Sequence, residues 1–195
     1  MIIQGVTLKG TYVVDSLPYV TANLVLNLDA GLTSSFSGNT TWRDTANGLS
    51  FTLSGSPTFS SNNGGYLNFV PGSSQYAYSP NQSFGNLSRW TVEAWHYFTN
   101  TNTGSLPCIV TEQYPGVTSK INFSLGSDTT GGLQNGFWDG SWHATSPYTL
   151  STNTWNHIIG TYDGTTIKLF VNNTQVSTFG YVGTSTSSQG GIVLM

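Results

Sequence analysis

Charge is what this sequence has least of. Only 7% of its 195 residues are Asp, Glu, Lys or Arg, against about 25% in an ordinary globular chain. The five basic residues are scattered singly and the net charge is −3. That excludes the basic stripe that nucleic-acid binding requires and the polybasic cluster that holds a protein to an anionic membrane surface. Cysteine occurs once, at Cys108, so no disulfide can close within the chain, and a buried small hydrophobe is its expected role. Apolar runs are a handful of residues long, far short of the roughly 20 that a membrane-spanning helix needs. Residues 1–7 offer neither a basic nor an apolar leader region, so the expectation is a chain without a secretory signal. Nowhere do apolar residues recur at i, i+3, i+4 and i+7 over ten residues, so helix has no support.

What is abundant is Thr, Ser, Asn and Gly, together with six Trp, ten Tyr and ten Phe. A Ser/Gly-rich, charge-poor chain can fail to bury enough apolar surface and stay disordered. The aromatic side chains argue for order, because each buries a large area. The length fits one all-β domain. From Leu24 to Asp29, and again over 49–53, 66–70, 75–78, 90–98, 107–112, 120–125, 133–138, 155–162, 166–171 and 175–181, short apolar runs recur, many with strand-like alternation. Clusters such as Ser61-Asn62-Asn63-Gly64-Gly65, Pro71-Gly72-Ser73-Ser74 and Asp163-Gly164 separate them with residues that tolerate positive φ. Many short strands punctuated this way predict a sandwich or barrel. Gly183 to Gly191 reads as a loop between strands, and residues 1–22 read as an extended arm, with Pro18 interrupting any strand there.

Two segments carry a family resemblance. Trp90-Thr91-Val92-Glu93-Ala94-Trp95 resembles an F-T-I-E-A-W strand. Trp155-Asn156-His157-Ile158-Ile159-Gly160-Thr161-Tyr162-Asp163-Gly164, followed by Ile167 to Asn172, resembles the W-x-H-V-A-x-T-Y-D-G…L-x-L-Y-V-D-G hairpin of concanavalin A-like, laminin-G-like domains. Leu67-Asn68-Phe69 and Tyr76-Ala77-Tyr78 match the strand pair preceding the first signature. The resemblance implies an all-β, two-sheet antiparallel jelly-roll sandwich over residues 23–195. It also implies a further C-terminal strand, which this sequence does not show: either the chain continues beyond Met195, the expectation preferred here, or the first strand near 24–29 has an open edge. Asn172-Asn173 replaces the family's Asp-Gly, a turn that Asn can make. Leu24 to Gly31 and Thr40-Thr41-Trp42-Arg43-Asp44 further resemble structural proteins of tailed phages.

Chemistry has little footing. Glycan hydrolysis needs two carboxylates about 5–9.5 Å apart across the scissile bond, yet the sequence has only Glu93 and Glu112 as glutamates, neither in an E-x-D-x-x-E strand. His96 and His157 lie inside the signature strands and read as structural, and no HxH, HExxH or CxxC spacing supports zinc. No G-x-S-x-G elbow occurs. Asp29, Asp44, Asp128, Asp139 and Asp163 are spread one at a time, so no cofactor is expected, with calcium the alternative left open. Trp90, Trp95 and Trp155 are expected in the core.

The best binding constellation is Phe137-Trp138-Asp139-Gly140-Ser141-Trp142-His143. Trp138 and Trp142 could stack on sugar faces while Asp139 and His143 take hydroxyls, with Tyr114 a second loop residue; the bland alternative is that the two Trp plug one end of the sandwich. The resemblance to tailed-phage structural proteins implies a non-catalytic virion protein, decorating a capsid or tail, anchored to other virion proteins by residues 1–22 and touching host-surface or environmental glycans. No nucleic acid and no membrane insertion are expected. The alternative is an extracellular, lectin-like carbohydrate-binding module.

Overall fold

Trp155 to Tyr162 alternates half-buried and buried residues without a break, the burial pattern of a strand with one face on a core. The whole chain is organised by that alternation. The structure, a computed structural model, describes residues 22–70, 72–99, 108–113, 121–128, 130–186 and 190–194, together with the backbone of 2–4.

It is an all-β antiparallel sandwich of two sheets. The first sheet has seven strands in the order β14 (Thr174–Gly180), β13 (Thr166–Val171), β12 (Trp155–Tyr162), β7 (Trp90–Tyr97), β1 (Ile2–Gln4), β5 (Tyr66–Asn68) and β4 (Thr58–Ser60). The second has eight: β11 (Trp142–Ala144), β10 (Leu133–Trp138), β9 (Ile121–Ser127), β8 (Cys108–Gln113), β15 (Gly191–Leu194), β6 (Tyr76–Pro80), β3 (Ser50–Ser54) and β2 (Thr41–Arg43). Between them lies one large core, with Leu67, Ile158 and Leu169 from the first sheet meeting Trp42, Phe51, Leu125 and Ile192 from the second.

Turns follow the residue chemistry. Between β12 and β13, Asp163 Oδ1 accepts the N–H groups of Thr165 and Thr166 at 2.9 and 2.8 Å, and Gly164 takes φ 95°. Those bonds, led by the Thr165 hydroxyl and N–H, hold the Asp163 carboxyl down at about 2. Asn172 and Asn173 sit at φ 50° and 66° between β13 and β14, the left-handed pair that a two-residue hairpin demands.

Several expectations change. Residues 24–29 form no strand, despite their alternation. Their backbone is bound by a neighbouring turn instead: the Asn27 N–H donates to Asp44 Oδ1 at 2.7 Å, the Asn47 side chain donates to the Val25 carbonyl at 2.9 Å, and the Thr45 N–H donates to the Asn27 carbonyl at 2.9 Å. With no strand there, the alternative of an open edge beside residues 24–29 does not arise. Ile2–Gln4, from the expected arm, lies inside the chain's own sheet between β5 and β7; residues 5–21 lie outside the described residues.

Of the three expected core tryptophans, only Trp90 turns inward, 5.1 Å from Phe137 and 4.7 Å from Tyr162. Trp95 and Trp155 fall on the odd-numbered, outward face of their strands. There Trp95 stacks on His157 at 4.8 Å, and Trp155 stands edge-on to Tyr97 and Tyr66 at 5.6 and 5.7 Å.

Candidate functional site

β10 and β11 form a hairpin at one edge of the eight-stranded sheet, with Trp138 opposite Trp142, Phe137 opposite His143 and Gly136 opposite Ala144. Its loop, Asp139-Gly140-Ser141, turns at Gly140 with φ 124°, and the Asp139 N–H donates to the Ser141 carbonyl at 3.3 Å. Directly opposed residues point to the same face and neighbours alternate. The register therefore sorts the expected constellation into two halves.

Trp138 and Trp142 share the outer face. The Trp142 indole lies over Gly136: a Cβ at Gly136 would meet Trp142 Cζ2 at 2.9 Å and the His143 carbonyl oxygen at 2.5 Å. The missing side chain is thus the seat of the ring. Trp142 keeps 40% of its surface exposed, and Trp138 beside it is half-buried. On β10 and on β9 beside it the same face carries Gln134, Ser124 and Gly126.

Asp139 and His143 turn the other way. His143 Nε2 lies 2.9 Å from Asp139 Oδ1, and the Tyr181 hydroxyl donates to Asp139 Oδ2 at 2.7 Å. The His143 ring stacks on Tyr181 with centroids 3.5 Å apart. Burial pulls the Asp139 carboxyl upward, but the bonds from Tyr181 and His143 outweigh it and leave the pKa below the ordinary carboxylate value. The same bond raises the Tyr181 hydroxyl. Both Asp139 oxygens thus have partners within the chain, and Asp139 and His143 stand on the face opposite Trp138 and Trp142. Tyr181 is the residue the sequence reading missed. It lies 42 positions away, in a segment whose return to this hairpin no local pattern announces. Tyr114 lies outside the described residues.

The remaining acids are placed apart. Glu93 is on the outer face of the seven-stranded sheet, 2.8 Å from His157 Nε2. Glu112 is fully buried in the other sheet and accepts from the Ser83 hydroxyl, the Phe84 N–H and the Asn122 amide at 3.0, 3.1 and 2.7 Å. Ser185 Oγ in turn bonds Asn122 Oδ1 and the Leu87 carbonyl. This network pins the 81–87 loop and the segment around Ser185 to the sheet. Each described aspartate likewise holds its own surroundings: Asp44 binds the N–H groups of Asn27, Ala46 and Asn47, Asp128 those of Thr130 and Gly132, and Asp29 that of Gly31. Among the described residues no three His, Cys, Asp or Glu side chains gather as metal ligands.

Residues 71–194 match the family model described as the concanavalin A-like lectin/glucanases superfamily (Laminin_G_3). No curated protein sequence matches the chain. Among solved structures it is similar to domain 4 of AbnA, an extracellular GH43 arabinanase from Geobacillus stearothermophilus, in complex with arabinotriose. That match has 14% identity and a TM-score of 0.59 over 78% of this chain and 76% of the other. It is also similar to the binding domain of botulinum neurotoxin DC in complex with SialylT, at 12% identity and a TM-score of 0.60 over 90% of this chain, which spans 44% of that one. At such identities the likeness is one of fold.

Proposed function

Because the chain belongs to the concanavalin A-like lectin/glucanases superfamily, we propose that it is a non-catalytic carbohydrate-binding module whose platform is the outer face of the β10–β11 hairpin. The observation that carries this reading is the Trp142 indole, laid over Gly136 beside Trp138 on the same face with 40% of its surface in solvent. An exposed aromatic plane costs hydrophobic free energy unless something covers it, and a sugar ring offers a matching apolar face with hydroxyls at its rim. Ser124 supplies a hydroxyl for that rim and Gln134 its amide oxygen, the Gln134 amide nitrogen donating to the Thr145 carbonyl at 2.8 Å. Two of the solved structures similar in fold are saccharide complexes. This favours the lectin-like alternative over the virion role that the sequence resemblance suggested. A setting outside the cell, on a surface or a particle, suits the charge-poor, hydroxyl-rich composition.

The test is a titration of the full chain with neutral oligosaccharides, arabinotriose among them, followed by tryptophan fluorescence and calorimetry. Trp142→Ala should weaken binding roughly tenfold, since stacked aromatic contacts carry about 0.5–1.5 kcal/mol beyond the area they bury, with little change in melting temperature. Equal affinity of Trp142→Ala and the parent, or no response to any saccharide, overturns the platform.

A further inference from the structure

At the opposite edge of the same sheet, β2 borders a polar hollow of about 310 Å³ lined by Thr33, Ser34, Ser37, Asn39, Thr41 and Arg43. Its construction follows from one bridge. Phe36 pairs with Trp42 and both are buried, so their neighbours Ser37, Thr41 and Arg43 turn outward together. The floor is fixed: Ser35 Oγ accepts the Asp29 N–H at 3.1 Å and donates to the Arg43 carbonyl at 2.6 Å. Asn39 accepts the Thr41 N–H at 2.8 Å and donates to Ser37 Oγ at 3.1 Å. These bonds tie the floor and one rim of the hollow to the β2 segment.

Arg43 is what makes it informative. Three ion pairs form among the described residues, and Arg43 is in none of them. The two aspartates closest to it in sequence cannot serve, because Asp44 and Asp29 are buried and turned onto backbone N–H groups. In a chain with five basic residues, an exposed guanidinium at the mouth of a hydroxyl-lined hollow is a binding feature. It presents a planar fork that matches an oxyanion bidentately. The hydroxyls and the Asn39 amide offer donors and acceptors together, as sugar hydroxyls require. The volume lies at the small end of ligand pockets, the size of one or two sugar rings.

We propose that this hollow is a second saccharide site that selects a sugar carrying an oxyanion, a carboxylate or a sulfate ester, with Arg43 as its specificity residue. The inference rests on the carbohydrate reading above only in taking the ligand to be a saccharide; it does not need the tryptophan platform.

The experiment titrates the full chain with trigalacturonate, a sulfated galactan trisaccharide and the neutral galactan trisaccharide, reading amide shifts of Ser37, Asn39 and Arg43. At least one of the two acidic ligands should move these amides while the neutral one does not, and which one responds distinguishes carboxylate from sulfate. Arg43→Gln should weaken that ligand by roughly ten- to a hundredfold, as expected for a charge-assisted pair, with an unchanged melting curve. Arg43→Lys should retain part of the affinity, and Trp142→Ala should leave it intact. Failure of both acidic ligands to bind overturns the site, as does undiminished binding by Arg43→Gln. Full displacement by sodium sulfate at matched ionic strength reduces the site to a bare anion site and overturns the saccharide. Loss of neutral-sugar binding in Trp142→Ala tests the platform separately, so the two readings fail independently.

Discussion

His96 is fully buried on the inner face of β7, its ring 4.9 Å from Phe98, and neither ring nitrogen has a partner among the described residues. Burial pushes its pKa from 6.5 down to about 3. The unfolded chain takes up a proton near pH 6.5, whereas the folded chain does so only near 3. Stability is therefore full above pH 6.5 and falls as the pH drops through that window, by up to about 1.4 kcal/mol per unit. Urea midpoints should decline from pH 7 to pH 4.5, and His96→Leu should flatten the decline; parallel curves for parent and variant refute the assignment. Asp128, Asp139 and Asp163, whose pKa values are lowered, lose their contribution only below the ordinary carboxylate value. Asp29, raised by burial, works in the opposite sense as pH rises through its folded value, so the variant isolates the histidine. At this scale the sequence reveals residue type more readily than facing. Trp155 looked like core but is half-buried between Tyr66 and Tyr97, and Trp155→Ala should cost only about 1–2 kcal/mol in denaturant unfolding. Trp42→Ala, with no exposed surface to begin with, should cost about 3–5 kcal/mol.

Among elements, the long alternating strands were legible because a period of two repeated over six to eight residues, as in β7, β12 and β13, leaves little ambiguity. β2, β4 and β11 were not, since three residues are too few to show a period. Residues 24–29 show the opposite failure, a strand-like pattern whose backbone groups are satisfied by Asp44 and Asn47 side chains. The 133–138 run was legible as a strand, but its pairing with β11 and the sorting of the residues onto two faces came from the register. That sorting predicts the effect of Gly136→Ala. The new methyl would collide with the His143 carbonyl and the Trp142 ring, costing about 1–3 kcal/mol of stability and displacing the indole. Saccharide affinity should then fall as far as in Trp142→Ala, although no ligand-contacting atom has been removed. Retained affinity in Gly136→Ala would mean that the indole's seat does not matter to binding.

For the molecule as a whole, the strand order joins the two proposed sites. A single row of opposed residues crosses the eight-stranded sheet, from Ala144 through Gly136, Ser124, Thr111, Val193, Tyr78 and Thr52 to Thr41. Residues in such a row share one face, so Trp138 and Trp142 lie on the same side as Arg43, at the other edge. Nothing local in the sequence could show this, because the row depends on β15 slotting between β8 and β6. Seven interstrand steps of about 4.8 Å put the two ends roughly 33 Å apart, beyond the reach of a trisaccharide but not of a polymer. A polysaccharide with neutral and acidic sugars that spans the face should gain from effective concentration, since its second contact is intramolecular. Affinity should therefore step up once chain length exceeds the span, and either Trp142→Ala or Arg43→Gln should return long chains to single-site strength. Surface plasmon resonance against a length series of an acidic polysaccharide measures this. A smooth dependence on length, with the two variants acting additively, would place the sites on separate ligands.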